Sequence, residues 1–529
     1  MKLSNFLLYS IAFTQTVSGI VIPQHVLDGE PPAPISPYQS ISDLDFETWL
    51  EKQKAESFHS ILNNIGGTSE VFDEMEVYKG VVIASPSKIY PNYFYQWTRD
   101  AAITIKTLLY ELEDQLNTSS SEVSKDTGKL VNVIESYIEN SYNLQRLPNL
   151  SGSFEDDDKS GLGEPKFHVN NTPFNEVWGR PQRDGPGLRA ATIMYYLEIL
   201  NKFDKQVQSE FLKSTGFIYK KIIKPDLIYI MKNWDLEGFD LWEEINAVHF
   251  FTSITQLRAI KDGIFWAEHF HDESFKESLV STFGELQEAI ENELGFKSDM
   301  LPHIIECPSI WKIGKRKGLD AASLLGSIHS HETSELRRDD PLPIPFDIDD
   351  SSIINTLAAM VADMKFRYPI NHNKIGLFGT GVALGRYPED IYDGYSTTEG
   401  NPWFISTATA GEIIYRMIFK LKSYRQDIII NASNRDFFHQ FINFENSDDE
   451  GDDMVIPFNS AAYNMMIANL FKFSDSFLQV VKEHVDSQGR MSEQFNKYHG
   501  YMQGARELTW SYSAVWNAIR WREKTLKVL

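Results

Sequence analysis

The sequence predicts an all-α protein whose helices recur at roughly regular intervals. Three observations carry that reading. Apolar residues fall in stripes at near-helical spacing from about residue 100 to the C-terminus. Strictly alternating β runs are scarce. Long polar stretches rich in Gly, Pro and aromatic residues separate the stripes, as in a rigid scaffold that carries a site on its loops. No sequence repeat is visible, but a toroid of paired helices produces the same rhythm without one.

The N-terminus reads differently. Lys2 precedes the apolar run Phe6–Phe13, and small residues follow at Val17-Ser18-Gly19. This pattern predicts a secretory signal peptide over residues 1–19, with an apolar segment too short to span a bilayer. The Pro-rich stretch Glu30–Pro37 predicts an extended arm over residues 20–44. Residues 45–529 are then expected to form a single catalytic domain.

Within it, Ile103, Ile105, Leu108, Leu109 and Leu112 make the first stripe, and Leu130, Val133, Ile134, Tyr137 and Ile138 the next. Similar patterns cover Leu188–Leu200, Ile222–Trp234, Phe250–Phe270, Phe275–Leu294, Ile353–Phe366, Phe404–Tyr424, Tyr463–Val485 and Leu508–Leu526. Asp100 and Asn401-Pro402 are the expected helix starts for two of them.

Composition narrows the function. The 529 residues are 42% hydrophobic and 13% aromatic, ample for a large core. A formal net charge of −24 repels phosphate backbones and anionic lipid, so neither nucleic acid nor a membrane is an expected partner. A single cysteine, Cys307, excludes an intramolecular disulfide. The 13 histidines form no His-Glu-x-x-His pattern, no EF-hand loop occurs, and a Gly-x-Ser-x-Gly elbow is missing, so no metal, cofactor or serine nucleophile is expected. Sequons at Asn117, Asn149, Asn170 and Asn431 fit a secretory route.

The loops hold the chemistry. Tyr93, Tyr95 and Trp97 precede Arg99-Asp100, which joins rings that stack on sugar faces to groups that bind vicinal hydroxyls; the alternative is a core aromatic cluster with Asp100 as a cap. Gly161–Lys166 and Trp178–Pro186 contribute Trp178, Arg180 and Asp184, or else form an ordered loop tied by salt bridges. Glu243 and Glu244 follow Trp242. If they open a helix they diverge by about 100°, so one at most faces a substrate; Trp242 beside Glu243 would favour a protonated general acid. A solvated acidic pair at a helix N-terminus is the plainer account. Arg386 and Trp403 offer a cation and a ring. Glu493-Gln494, on a segment without a capping box, could hold a water, with Trp510 nearby.

Taken together, Tyr93–Asp100, Gly161–Phe167, Trp178–Arg189, Gly238–Thr252, Gly385–Tyr392, Gly400–Phe404, Met491–Gln494 and Leu508–Tyr512 resemble, in order, the glucoamylases of glycoside hydrolase family 15. The resemblance covers the chain from about residue 45 onward and is nearest to yeast members. It implies an (α/α)6 barrel and an inverting exo-hydrolase that releases β-D-glucose from non-reducing ends of α-1,4-glucans such as starch, glycogen or malto-oligosaccharides. By position, Glu243 resembles the general acid and Glu493 the general base. Tyr93 and Gln494 resemble residues beside the attacking water. Arg99 and Asp100 resemble the clamp on the terminal glucose, and Trp97, Trp178 and Trp510 the ring contacts. Arg180, Asp184, Glu244 and Arg386 resemble hydrogen-bonding residues of the first two subsites, and Trp242 a binding residue next to the acid.

Two departures stand out. The chain stops after its last helix, where many fungal members append a starch-binding domain, so raw granular starch is not the expected substrate. Gly187 stands where the family usually has alanine, with little expected effect. Trehalase or glucodextranase activity, an inverting phosphorylase and a lectin-like barrel are the rival readings; the last two would lose one of the two glutamates. The protein is expected to act as a monomer and to be secreted, with the vacuole or cell wall as alternatives.

Overall fold

The computed structural model describes residues 44–69, 72, 76–118, 125–331, 341–442 and 453–529. The expected signal peptide and nearly all of the expected arm lie outside these residues.

Twelve helices among the described residues form two concentric rings. In chain order they are α1 (Phe46–Asn63), α2 (Thr98–Thr118), α3 (Lys125–Gln145), α4 (Asp184–Lys202), α5 (Lys224–Asn233), α6 (Phe250–His269), α7 (Glu273–Glu288), α8 (Ala321–Ser330), α9 (Ser351–Arg367), α10 (Phe404–Ser423), α11 (Ala461–His484) and α12 (Thr509–Leu526). The even-numbered helices pack in sequence, α2 on α4, α4 on α6, α6 on α8, α8 on α10 and α10 on α12. The ring closes where α12 meets α2. The odd-numbered helices stand outside it: α1 packs on α12, α3 on α2, α5 on α4, α7 on α6, α9 on α8 and α11 on α10. This is the (α/α)6 barrel.

The burial pattern follows from ring position. Inner helices are covered on every side, so α4 buries sixteen of its nineteen residues, from Asp184 to Leu200, and α12 is buried continuously from Thr509 to Arg522. Outer helices bury one face, as the stripe of α11 through Tyr463, Met466, Ile467, Leu470, Phe473 and Phe477 shows.

The stripes locate ten of the twelve helices and leave out α1 and α8. The sequence of α8, Ala-Ala-Ser-Leu-Leu-Gly-Ser-Ile-His-Ser, has no polar face because nine of its ten residues are buried, so amphipathic spacing has nothing to display. In α1 the apolar residues are sparse among charged ones. Two expected helix starts also move. Thr98 begins α2, which puts Asp100 inside the first turn, and Trp403 rather than Asn401 is the cap of α10. Among the described residues, the side chains that cap barrel helices are Asp45, Asp320, Asp350 and Ser460, each accepting a backbone N–H.

Among the described residues, strands are confined to four short antiparallel pairs, none longer than three residues a side. Three of them shape loops that enter inner helices. β1 (Tyr95–Trp97) leads into α2 and pairs with β2 (Lys166–His168). β3 (Gly238–Phe239) pairs with β4 (Asn246–Ala247) just before α6. Further on, Gln494–Phe495 pairs with Met502–Gln503 in the loop before α12.

Because each outer helix is followed in the chain by the next inner helix, six outer-to-inner loops gather at the N-terminal end of the inner ring. The chemistry-bearing stretches fall on the loops into α2, α4, α6, α10 and α12.

Candidate active site

A cavity opens at that end of the barrel. Glu243 enters it from the loop before α6 and Glu493 from the loop before α12. These are the third and sixth helices of a closed six-membered ring, so the two carboxylates come from opposite sides of the mouth. The floor is made by the first turns of inner helices, with Arg99, Asp100, Ile405 and Trp510; the next turn down, at Ala102 and Ile103, is buried core.

Glu243 does not open a helix. It stands at the tip of the β3–β4 hairpin in a left-handed conformation, φ 67°, which a non-glycine residue adopts only where its surroundings enforce it. Asp240 supplies that enforcement: its carbonyl accepts the Glu243 N–H at 2.9 Å, and its Oδ1 accepts from Glu244 N and Ile245 N at 2.7 and 2.8 Å. Glu243 and Glu244 diverge, as expected, but through a tight turn rather than helical rotation.

The side chain of Glu243 is fixed by three donors on one oxygen. Trp97 Nε1 donates to Oε1 at 2.6 Å, Trp178 Nε1 at 3.0 Å and Gln182 Nε2 at 2.7 Å. An oxygen taking three N–H bonds has no lone pair left for a proton, so the protonated form must carry it on Oε2. The indole that adjoins Glu243 in sequence plays another part: Trp242 Nε1 donates to Asp320 Oδ1 at 2.9 Å and presents its ring as a cavity wall.

Glu244 faces two arginines. Arg386 Nη2 reaches Oε1 at 2.7 Å, Arg316 Nη2 reaches Oε2 at 2.6 Å, and the Tyr387 hydroxyl donates to Oε2 as well. Burial opposes its charge, but Arg386 and Arg316 prevail and hold it below the usual carboxylate range. Arg386 is also clasped by Asp390, with bonds of 2.8 and 2.6 Å.

Glu493 is 1% exposed. Burial pushes it up to about 8, against hydrogen bonds from Tyr93, Tyr392 and Gln494 and the charge of Arg386. The two tyrosine hydroxyls also face each other at 3.1 Å. Such a carboxylate takes up a proton readily, while the donors around it support the ionised form from which it must start. Gly504 lies directly behind it with φ +76°, and a Cβ there would come within 2.4 Å of Glu493 Oε2, so only glycine fits.

Arg99 and Asp100 meet the cavity with unsatisfied polar atoms. Arg99 Nη1 bonds to Gln182 Oε1 and Asp184 Oδ2 at 2.9 and 3.0 Å, while its Nε and Asp100 Oδ2 make no hydrogen bond and face each other as an ion pair at 3.4 Å. A buried donor and a buried acceptor held only by a loose ion pair, with no hydrogen bond to either, form a recognition pair for a ligand with adjacent hydroxyls. Burial raises Asp100 to about 6, opposed by Arg99.

Eleven of the fourteen residues to which the family resemblance gives roles therefore line one cavity. The other three stand behind it. Arg180 clasps Glu164, with Nε and Nη2 bonds of 2.9–3.1 Å. Asp184 holds Arg99. Gln494 bridges Asn401 and Glu493, accepting at 3.1 Å and donating at 3.2 Å.

The sequence reading found nothing on the fourth loop, the one that enters α8. That loop supplies Arg316 to Glu244 and Asp320 to Trp242. Its signal was the basic run Lys315-Arg316-Lys317 in an acidic chain, three residues ahead of the capping Asp320. Tyr392, a cavity wall and partner of Glu493, and Gln182, a donor to Glu243, were also passed over.

One group of metal-ligand type occurs among the described residues, His249, Glu306 and Cys307, behind the Glu243 hairpin. His249 uses Nδ1 on Glu306 Oε2 at 3.1 Å and Nε2 on Ile245 O at 3.0 Å. Burial opposes its charge, but Glu306 and Cys307 hold it well above the usual histidine range. With both ring nitrogens engaged, the group is a brace that ties the end of the hairpin to the neighbouring loop.

Comparison with known proteins agrees with this architecture. The family model described as glycosyl hydrolases family 15 matches residues 58–520. A glucoamylase of Saccharomycopsis fibuligera is 40% identical over 496 residues, covering 92% of each chain. An intracellular sporulation-specific glucoamylase of Saccharomyces cerevisiae is 37% identical, covering 91% of this chain and 85% of its own. Among solved structures, a Saccharomycopsis fibuligera glucoamylase superposes with a TM-score of 0.84 at 38% identity, over 95% of this chain and 99% of its own. The Hypocrea jecorina family 15 glucoamylase gives 0.77 at 29% identity, over 90% and 72%.

Proposed function

The chain belongs to glycosyl hydrolase family 15, and from that premise we propose that it releases glucose one unit at a time from the non-reducing ends of α-1,4-glucans, with inversion at the anomeric carbon. The observation that carries the reading is the placement of Glu243 and Glu493 on opposite sides of one floored cavity. A floor admits a chain end and not a chain middle, which supports exo-action. Opposed carboxyls leave room for a water between base and sugar; inverting enzymes need about 6.5–9.5 Å between them.

In this reading Glu243 protonates the leaving oxygen from Oε2. Glu493 takes a proton from water, which attacks C1 from the other face, and Tyr93 and Tyr392 keep the base aligned. Nε of Arg99 and Oδ2 of Asp100, an ion pair without hydrogen bonds, receive vicinal hydroxyls of the terminal glucose. Glu244, held by Arg386 and Arg316, accepts from hydroxyls of the next ring, while Trp97, Trp178, Trp242 and Trp510 supply apolar faces. Arg180, Asp184 and Gln494 act at one remove, by fixing Glu164, Arg99 and Glu493.

The test is a pair of amide variants. Glu243→Gln and Glu493→Gln should each lower kcat by at least about 10²-fold while leaving affinity for a non-hydrolysed disaccharide within a few fold. Near-normal turnover in either would remove that residue from the mechanism. Running maltose, isomaltose, trehalose and glycogen together separates glucan hydrolysis from the trehalase and glucodextranase alternatives.

We also propose that residues 20–44 link a cleaved leader to one catalytic domain, and that the protein is a secreted monomeric glycoprotein. Two sequon asparagines, Asn117 and Asn170, are exposed, whereas Asn149 Nδ2 is occupied by the carbonyls of Leu147 and Gly161 at 3.1 and 2.8 Å. Glycan mapping of material from the culture medium should find Asn117 and Asn170 modified and Asn149 bare. Unmodified protein confined to the cell would contradict the secretory route.

A further inference from the structure

Lys166 lies on β2, directly opposite Trp97 in the β1–β2 pairing, and is 1% exposed. Its ammonium sits among four rings, 3.1 Å from the centroid of Trp178, 4.1 Å from Phe174, 4.5 Å from Tyr95 and 4.6 Å from Trp97. The rings brace one another edge to face: Tyr95 on Trp97, Trp97 on Trp178 and Phe174 on Trp178, with centroids 5.9–6.1 Å apart. Among the described residues no carboxylate is in ion-pair contact with this ammonium. Glu164 is nearby but clasped by Arg180.

Two of the four rings, Trp97 and Trp178, are the indoles that donate to Glu243 Oε1. A cation on the face of an indole draws on its π electrons, which holds the ring in place and makes the N–H at its edge a stronger donor. Of the charged groups that act on Lys166, Glu243 comes first, ahead of Glu176, Arg180 and Glu164. Burial pushes the ammonium down to about 7, so it is charged in acid and loses its proton near neutrality.

We propose that Lys166 is a positioning residue for the general acid: caged by aromatic rings, it keeps the N–H groups of Trp97 and Trp178 aimed at Glu243 Oε1 and so confines the acid's proton to Oε2. The inference rests on the role given to Glu243 above. Without the cation the two indoles lose their shared anchor, and Oε1 competes for the proton in an orientation from which it cannot reach the glycosidic oxygen.

The test compares two substrates that differ in their need for a proton. Maltose leaves a sugar hydroxyl and requires protonation, whereas α-D-glucosyl fluoride leaves fluoride with little assistance. Lys166→Met fills the cage with a neutral chain of similar length. It should lower kcat/KM on maltose by about 10–100-fold and on the fluoride by about threefold or less. Phe174→Leu, which removes one wall of the cage and touches neither Glu243 nor the cavity, should give the same bias at smaller size. Equal losses on both substrates would show a merely structural lysine, and unchanged maltose turnover would show no role; either overturns the proposal. Glu243→Gln measured alongside keeps the two readings apart. If that variant lacks the maltose bias, it is the assignment of the acid that fails.

Discussion

Trp97 Nε1 donates to Glu243 Oε1 at 2.6 Å, the shortest of the three bonds on that oxygen. The pair joins the first and third loops of the ring, residues 146 positions apart in the chain. It gives the aromatic residue before Arg99-Asp100 a purpose beyond stacking: it fixes which oxygen of the acid is free.

Trp97→Phe keeps a ring in the cavity and removes the donor. A hydrogen bond to a charged group contributes about 1.5–3 kcal/mol, so kcat/KM on maltose should fall by roughly 10–100-fold. Steady-state kinetics decide it; a change confined to KM would mean that Trp97 only stacks.

Tyr93→Phe should move the acidic limb of the kcat/KM profile to higher pH. Burial raises Glu493 to about 8, and the Tyr93 hydroxyl is the first influence that opposes it. A base works only when ionised, and losing a donor to the carboxylate destabilises that form. The limb should therefore rise, by about one pH unit or less. A limb that stays fixed or moves to lower pH would detach Tyr93 from the base.

Gly187→Ala should stabilise the protein. Gly187 lies in α4, and a Cβ there would meet Gln256 Cα at 3.4 Å and Thr255 O at 3.5 Å, ordinary contact distances. Alanine then gains about 0.5–1 kcal/mol over glycine in a helix interior. Thermal unfolding should show a higher midpoint with unchanged kinetics.

What sequence alone revealed follows from the kind of signal each element leaves. Most helices of both rings betray themselves by apolar spacing, but the outer helix α1 has too few apolar residues to mark a stripe, and the inner helix α8 is buried all round and has no face to display. The conspicuous chemistry of Glu243, Glu493, Arg99 and the tryptophans was legible because acids and rings crowd into loops between stripes. Asp320 and Gln182 were not, since an ordinary cap and an ordinary amide become part of the site only when the barrel brings distant loops together. The turn at Glu243 was hidden for a related reason. Its left-handed backbone is imposed by Asp240, and nothing in the residue types distinguishes it from the first turn of a helix. Arg180 and Asp184 have the composition of ligand-binding residues, yet Glu164 and Arg99 take them up.

The central claim is that Glu243 and Glu493 act from opposite faces of one sugar, with water delivered by Glu493. Proton NMR of the first glucose released from maltotriose, recorded before mutarotation, tests it most directly. The account predicts the β-anomer. Initial α-glucose would mean retention, a carboxylate acting as nucleophile, and a different division of labour between the two glutamates.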